Sequence, residues 1–445
     1  MKQPHRGVSF GTVFMLALTL MVLGTTVAIF PKLLGTANLH VDTSTVLSAL
    51  TLHDGLPSLL LSDIPISDAT PMPETSPALQ QAEETIRPEA TVAPTSTPVP
   101  DGTVTLTLGG SVNVEDAIRK SAYYSDSGKY DFTDIMALLR EEMESDLTML
   151  SLENITYDSA AVSALNAPSA VMDMLADAGV DVVALGFPKA LDKGLEGLQA
   201  TVEVAGSKGL ATLGAYANQA DADQLRMFTV DNVDVAFLHY TDTVSAAGKK
   251  ILVNNGYALP MTHIDGIPDG MFADIRSARA AGADVVIVSL NWGKLSASKP
   301  TGAQKELAQL LADAGADIIV GTGSRVVQPL TWLTSRDSSG NIRQTLCAWS
   351  LGSILNESRK DGNVLGLLLQ LQISFDGKSL SFEKVCYTPT YIWRYKQDGQ
   401  YQYRIAVSDQ PAPDGMSAEQ AGYMEKAFRN LQKYLGDSPV TLRMK

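Results

Sequence analysis

Residues 280–293 (AAGADVVIVSLNWG) constrain this chain most. Gly282 is a residue that takes the left-handed backbone closing a helix. Asp284 follows, and Val285, Val286, Ile287 and Val288 then run without a polar interruption. A short β-branched run bounded by turn signals reads as a strand covered on both faces, the situation of a parallel strand with helices over its sheet. Such a strand delivers residues 289–293 to the carboxyl edge of the sheet, where open α/β sheets place their ligands.

The same design recurs at residues 177–186 (DAGVDVVALG) and 313–323 (DAGADIIVGTG): a helix end, a glycine, an aspartate, a buried strand and a loop. The copies are unevenly spaced, which argues for one β-α-β logic reused within a sheet rather than for a solenoid. Three loops are therefore expected at one edge, residues 186–192, 291–294 and 321–325, and what they carry decides the function.

With 445 residues, 45% apolar and 19% charged, the chain has material for a large core and more than one domain. Its formal charge of −15 argues against a general nucleic-acid binder, though not against a local basic pocket. Cys347 and Cys386 fit no metal-ligand spacing and lie in apolar, strand-like surroundings, so two buried free thiols are expected.

Lys2, His5 and Arg6 precede an apolar run over residues 8–30, long enough to span a bilayer and longer than the core of a cleaved signal peptide. Thr36-Ala37-Asn38 makes a poor cleavage site. The expectation is an uncleaved transmembrane anchor, with residues 1–7 in the cytoplasm and residues 31–445 outside the membrane. Residues 31–102 form an extracytoplasmic linker, whose part 69–102, rich in Pro, Thr, Ser, Ala and Glu, is expected to be a disordered, semi-extended stalk.

The folded domain is read from Thr103. Strands are expected at residues 103–108, 147–152, 180–185, 211–214, 228–230, 233–240, 344–351 and 365–375, and helices at 134–144, 170–178, 195–208, 272–280 and 304–314. Residues 377–445, with a strand expected over 381–393 and a last helix over 417–435, are read as an extension packed on the same domain. The alternative for the extension is an exposed polymer-binding surface made of Tyr387, Tyr391, Trp393 and Tyr395.

Over residues 103–376 the chain resembles the CapA family, the poly-γ-glutamate capsule biosynthesis proteins related to metallophosphatases. The resemblance rests on KYDFTDIM (129–136), SDLTMLSLEN (145–154), DAGVDVVALG and ALDKG (177–194), DVVIVSLNWG (284–293), DAGADIIVG (313–321), VVQPL (326–330) and WSLGS (349–353). The C-terminal YTPTYIWRY segment also resembles tails of this family. The resemblance implies an α/β, calcineurin-like metallophosphatase fold, two packed mixed β-sheets flanked by helices (αββα).

It also implies where metal ligands would stand, since a two-metal site needs carboxylate, amide and imidazole donors from several strand ends. The family's opening Gly-Asp is here Gly109-Gly110, and its Asn-Leu-Glu is Ser151-Leu152-Glu153. Its Asn-Asn-His is Phe187-Pro188-Lys189, and its His-Trp-Gly is Asn291-Trp292-Gly293. Its Gly-His-His-Pro-His is Gly321-Thr322-Gly323-Ser324-Arg325, and its Ser-Leu-Gly-Asn is Ser350-Leu351-Gly352-Ser353. The scaffold words survive while the ligand positions Gly110, Glu153, Lys189, Asn291, Ser324 and Arg325 are mostly changed to poor ligands. Glu153 and Asp192 are the retained acids, and Asp192 reads as the cap of a following helix turn. His239 reads as a satisfied residue inside a strand, and His263 as a solvated loop residue. No P-loop or Gly-x-Ser-x-Gly elbow is present, and Ser324 has no evident base.

Lys189, Lys294 and Arg325 put three cations in or beside the altered loops. They are read either as drift on a solvent-exposed rim or as protein cations standing where metal ions stood, able to hold a carboxylate or phosphate. The functional expectation is a membrane-anchored, extracytoplasmic, non-catalytic binding or scaffold domain for capsule, poly-γ-glutamate or other cell-envelope polymer assembly. No cofactor is expected, and its partners are the membrane, an anionic envelope polymer and capsule-synthesis proteins. The alternative is an active phosphoesterase or poly-γ-glutamate-processing enzyme using divalent metal ions.

Overall fold

The structure is a computed structural model, and it describes residues 102–262, 269–337 and 339–443. The expected anchor (8–30), nearly all of the expected stalk and His263 lie outside the described residues. Among the described residues, no helix is long and apolar enough to cross a membrane.

In chain order the strands are β1 (Gly102–Val112), β2 (Tyr123–Tyr124), β3 (Lys129–Tyr130), β4 (Leu147–Leu152), β5 (Val182–Ala184), β6 (Ala211–Leu213), β7 (Arg226–Val230) and β8 (Val233–Thr241). They continue with β9 (Val285–Asn291), β10 (Ile318–Thr322), β11 (Leu330–Arg336), β12 (Ile342–Ala348), β13 (Ser353–Leu355), β14 (Leu365–Phe375), β15 (Leu380–Gln397), β16 (Gln400–Val407) and β17 (Thr441–Leu442). One sheet has the order β16-β15-β14-β1-β4-β5-β6, with β13 joined to β1 and β17 to β15. The other has the order β11-β12-β10-β9-β8-β7. Both are mixed: β1 runs parallel to β4 and antiparallel to β14, and β9 lies parallel between β8 and β10, while β7 and β11 close the second sheet antiparallel.

Side-chain alternation makes this a four-layer α/β protein. Leu106, Leu108, Met149 and Val182 of the first sheet meet Val235, Phe237, Ile287 and Val320 of the second in one core between the sheets. The opposite face of the first sheet, with Leu150, Leu152 and Val183, is covered by Val171 and Leu175 of the helix Ala170–Asp177 and by Leu198 of the helix Gly194–Ser207. The opposite face of the second, with Val286, Val288 and Ile319, is covered by the helices Asp269–Ala280 and Gly302–Ala314 through Ile275, Ala278 and Leu311. Val285, Val286, Ile287 and Val288 are all fully buried, as a strand sandwiched on both sides requires.

The three recurring segments share more than their pattern. Gly179, Gly282 and Gly315 all adopt positive φ, the conformation that ends the helix before each strand. The aspartate two residues on, in each case, accepts a hydrogen bond from the backbone of a neighbouring strand: Asp181 from Thr148, Asp284 from Asp234 and Asp317 from Val286, at 2.8–2.9 Å. Each carboxylate therefore satisfies an amide at the amino edge of the sheet and fixes the register of the strand beside it.

One segment departs from expectation. Residues expected as one helix over 134–144 form a short α-helix, Thr133–Met136, followed by a 3-10 segment, Ala137–Met143. Residues 380–407 are two long strands of the first sheet. β15 pairs with β14 from Phe375–Leu380 to Leu365–Tyr391, and the helix Ala418–Leu435 sends Met424, Leu431 and Leu435 into the cluster between the sheets. Tyr387, Tyr391 and Trp393 are consequently buried, and Tyr395 is half-buried against Trp393, so the four form no open aromatic surface. Cys347 and Cys386 are both buried free thiols.

Candidate functional site at the carboxyl ends of the strands

The parallel strands bring their carboxyl ends to one edge. Glu153 follows β4, Asn291 ends β9, and Arg325 stands three residues beyond β10. Asn113 and Glu115 follow β1. These five side chains form one network. The Arg325 guanidinium donates to Glu153 Oε2 from Nε and Nη2 (3.3 and 3.1 Å), to Glu115 Oε1 from Nη1 (3.1 Å), and to Asn113 Oδ1. Asn291 Nδ2 donates to the other oxygen of Glu153 at 3.1 Å. Glu115 Oε2 accepts from the backbone of Glu357 at 2.9 Å.

Arg325 is the one non-glycine residue of its loop with positive φ (60°). That backbone costs about 1 kcal/mol for a side-chain-bearing residue, and the charge-assisted bonds made by the turned-in guanidinium oppose it. The Glu153 side chain is only 9% exposed and the Arg325 side chain 21%, so the pair is poorly screened by solvent.

The loops themselves are held by backbone and glycine packing. Gly293 N donates to Asp242 at 2.7 Å, Ser296 N to the Ser324 carbonyl at 2.7 Å, and Gln328 Nε2 to the Ala297 carbonyl at 2.9 Å. A Cβ on Gly321 would stand 2.0 Å from the Trp349 carbonyl oxygen, and one on Gly110 2.4 Å from that of Gly352. Both positions therefore require glycine. Trp292 and Trp349 stack at 5.8 Å beneath the edge, and Trp292 Nε1 donates to the Trp349 carbonyl.

Of the three expected loops, 291–294 and 321–325 meet directly around Glu153. Residues 186–192 join through the segment after β8: Asp242 N donates to the Asn291 carbonyl and Ser245 N to the Pro188 carbonyl. Asp192 does not cap the helix Gly194–Ser207; it accepts from the Ser245 hydroxyl, while Lys193 takes the N-cap position without a side-chain bond. Ser324 is buried, its hydroxyl donating to the Val326 carbonyl at 2.7 Å and lying 3.0 Å from Ser350 Oγ, so it has no base at hand. His239 is buried between Gly186 and Ser289, with Nε2 2.9 Å from the Gly186 carbonyl and Nδ1 3.0 Å from Ser289 Oγ. Since a carbonyl only accepts, Nε2 carries the proton and Nδ1 accepts from the hydroxyl. Burial pushes the imidazole down to about 4, the Gly186 carbonyl opposing it only in part.

The cationic trio divides. Arg325 turns inward onto two carboxylates because they are the strongest acceptors within its reach. Lys189 and Lys294 are exposed, and neither forms an ion pair among the described residues. Asn113 and Glu115 were not singled out from the sequence. The signal that finds them is positional: a strand ending at this edge carries its next residues into the site, and the S-V-N-V-E run follows β1 directly.

These residues do not fit a pair of divalent ions. The convergent oxygen donors are two carboxylates and two amides, and their oxygens and amide protons are already directed at one another and at a guanidinium. Among the described residues no group of three or more His, Cys, Asp or Glu stands close enough to hold a metal.

The family described as "Bacterial capsule synthesis protein PGA_cap" matches residues 105–358. The capsule biosynthesis protein CapA of Bacillus anthracis is 31% identical over 167 residues, 37% of this chain and 39% of that protein. The PGA biosynthesis protein CapA of Bacillus subtilis (strain 168) is 32% identical over 142 residues, 32% of this chain and 36% of that protein. The matched part thus spans well under half the length of either relative. Among solved structures, a Haemophilus influenzae NAD nucleotidase aligns at 12% identity and TM-score 0.38, over 75% of this chain and 61% of that one. A Mycoplasma pneumoniae phosphatase aligns at 12% and 0.38, over 64% and 93%. Since the family match covers more than half of its residues, the chain belongs to the bacterial capsule synthesis protein family, that of the CapA proteins.

Proposed function

We propose that this chain is a non-catalytic member of its family, a binding or scaffold component in the assembly of capsule, poly-γ-glutamate or another cell-envelope polymer. In this reading the fold is the calcineurin-like αββα frame, residues 8–30 anchor it in the cell membrane, and residues 69–102 hold the domain off the extracytoplasmic surface. The observation that carries the reading is Arg325 lodged between Glu153 and Glu115, with Asn291 on the second oxygen of Glu153. A fixed guanidinium neutralises the acids that would otherwise polarise a phosphoryl oxygen through a metal, and it brings neither an exchangeable ligand position nor an activated water. Lys189 and Lys294 remain on the rim as the charges an anionic polymer end would meet.

The test is metal analysis of the purified full chain at neutral pH, followed by turnover of bis-p-nitrophenyl phosphate with and without added manganese. The expected result is no stoichiometric metal and no turnover above the blank. Two divalent ions per chain together with turnover would make the protein a metal-dependent phosphoesterase instead.

A further inference from the structure

The hairpin of β15 and β16 carries a feature that the strand-end site does not explain. Residues 392–407 hold three cations, Arg394, Lys396 and Arg404, against one acid, Asp398, in a chain whose formal charge is −15. Arg404 pairs with Asp134 at 3.6 Å. Among the described residues, Arg394, Lys396 and the neighbouring Arg359 have no carboxylate at ion-pair distance.

Tyrosine rings hold these cations instead. The Arg394 guanidinium lies 4.3 Å and the Lys396 ammonium 5.3 Å from the ring centre of Tyr401, which is 42% exposed. Arg359 lies 6.0 Å from the ring centre of Tyr391 and donates to the Ile392 carbonyl at 3.0 Å. Arg394 also bonds the Tyr403 hydroxyl; burial and Glu357 raise the pKa of that hydroxyl, while Arg394 and Arg359 lower it. The nearby Glu357 carboxylate is engaged by the backbone of Ala117 and Ile118.

This arrangement lowers the cost of binding an anion. A long cationic side chain normally loses rotamer freedom on forming an ion pair. Here a ring already restrains two of them, and cation–π contact leaves the outward N–H groups uncommitted. Arg394 and Lys396 are two apart on one strand, so they share a face at roughly 7 Å spacing. That array, with Lys396 and Tyr401 exposed and Arg394 half-buried, matches charges repeated along an extended polymer better than it matches a single small anion. Arg394 supplies the planar fork a carboxylate takes in bidentate fashion, and Lys396 a point charge.

We propose that the β15–β16 hairpin is a docking strip for a carboxylate-bearing polyanionic chain, gripped by Arg394 and Lys396 on the Tyr401 ring. The strip is separate from the strand-end edge and stands whether or not that edge is catalytic.

The experiment is fluorescence anisotropy of labelled poly-L-glutamate with the full chain in nonionic detergent, across salt concentration. Arg394→Gln with Lys396→Gln is expected to weaken binding about tenfold at low salt and to flatten the salt dependence. Tyr401→Ala is expected to give a smaller loss, of about threefold, with an unchanged circular dichroism spectrum. Equal binding by the double variant, or no binding by the wild type at low salt, overturns the proposal. So does loss of binding in Lys189→Gln with Lys294→Gln alone, which moves the polymer to the strand-end rim. Tighter binding to phosphatidylglycerol vesicles than to the polymer also overturns it, because the strip is then a membrane contact.

Discussion

Arg325 and Glu153 differ in what each leaves behind when removed. Arg325→Ala strands a carboxylate whose side chain is 9% exposed, with Asn291 alone among the described residues still bonded to it. An unpaired, poorly solvated acid costs about 2–3 kcal/mol, and urea denaturation of the variant should show a loss of that size. Arg325→Lys, which cannot reproduce the planar fork, should recover less than half. A stability equal to wild type in both variants would show the network to be a spectator. His239 supplies a second residue-scale prediction, in pH. Its folded pKa of about 4 lies below the ordinary 6.5. Above pH 6.5 both folded and unfolded chains are neutral there. Below it the unfolded chain takes a proton that the buried ring refuses, so stability falls as pH drops from 6.5 toward 4, by up to roughly 3 kcal/mol. His239→Gln should flatten the stability curve in that window; an unchanged slope would assign the acid sensitivity elsewhere.

The element scale turns on the aspartates that open β5, β9 and β10. Asp317 does most, because besides the Val286 amide it accepts from Arg279 and Arg343 and is almost fully buried. Asp317→Ala leaves two arginines and an amide without their shared acceptor, and should cost about 3 kcal/mol in a denaturation measurement. Asp284→Ala, at a more exposed site with one such amide bond, should cost about 1 kcal/mol. The order of these two values is the informative part. Much of this was legible from local pattern: the run Val285–Val288 and its two relatives gave the buried strands, the glycines gave the helix ends, and strand polarity gave the shared edge. What was not legible is where a side chain finds its partner across the fold. Arg325 meets Asn113 and Glu115 more than 200 positions away, and no local period encodes that encounter. The alternative of an exposed aromatic surface on the tail fails for a related reason. Tyr387, Tyr391 and Trp393 alternate on a strand whichever face is covered, and only the helix Ala418–Leu435 decides that theirs is.

For the molecule as a whole, the question is what holds the edge where β1, β4, β9 and β10 end. Carboxylates gathered from separate strands repel one another, and a fold that gathers them needs a cation at their centre. If that cation is a bound divalent ion, stability depends on its free concentration by mass action, and a chelator lowers the melting temperature. Here the centre is occupied by a side chain of the same chain, whose effective concentration does not change with the solvent. Melting of the full chain in excess EDTA should therefore coincide with melting in its absence. Arg325→Ala should melt a few degrees lower under both conditions. Millimolar manganese should not return the variant to the wild-type temperature, because two carboxylates without an imidazole or a third acid make a weak site for a transition metal. The informative failure is a wild-type protein that EDTA destabilises: the edge would then be held by an ion, and Arg325 would be its neighbour rather than its replacement.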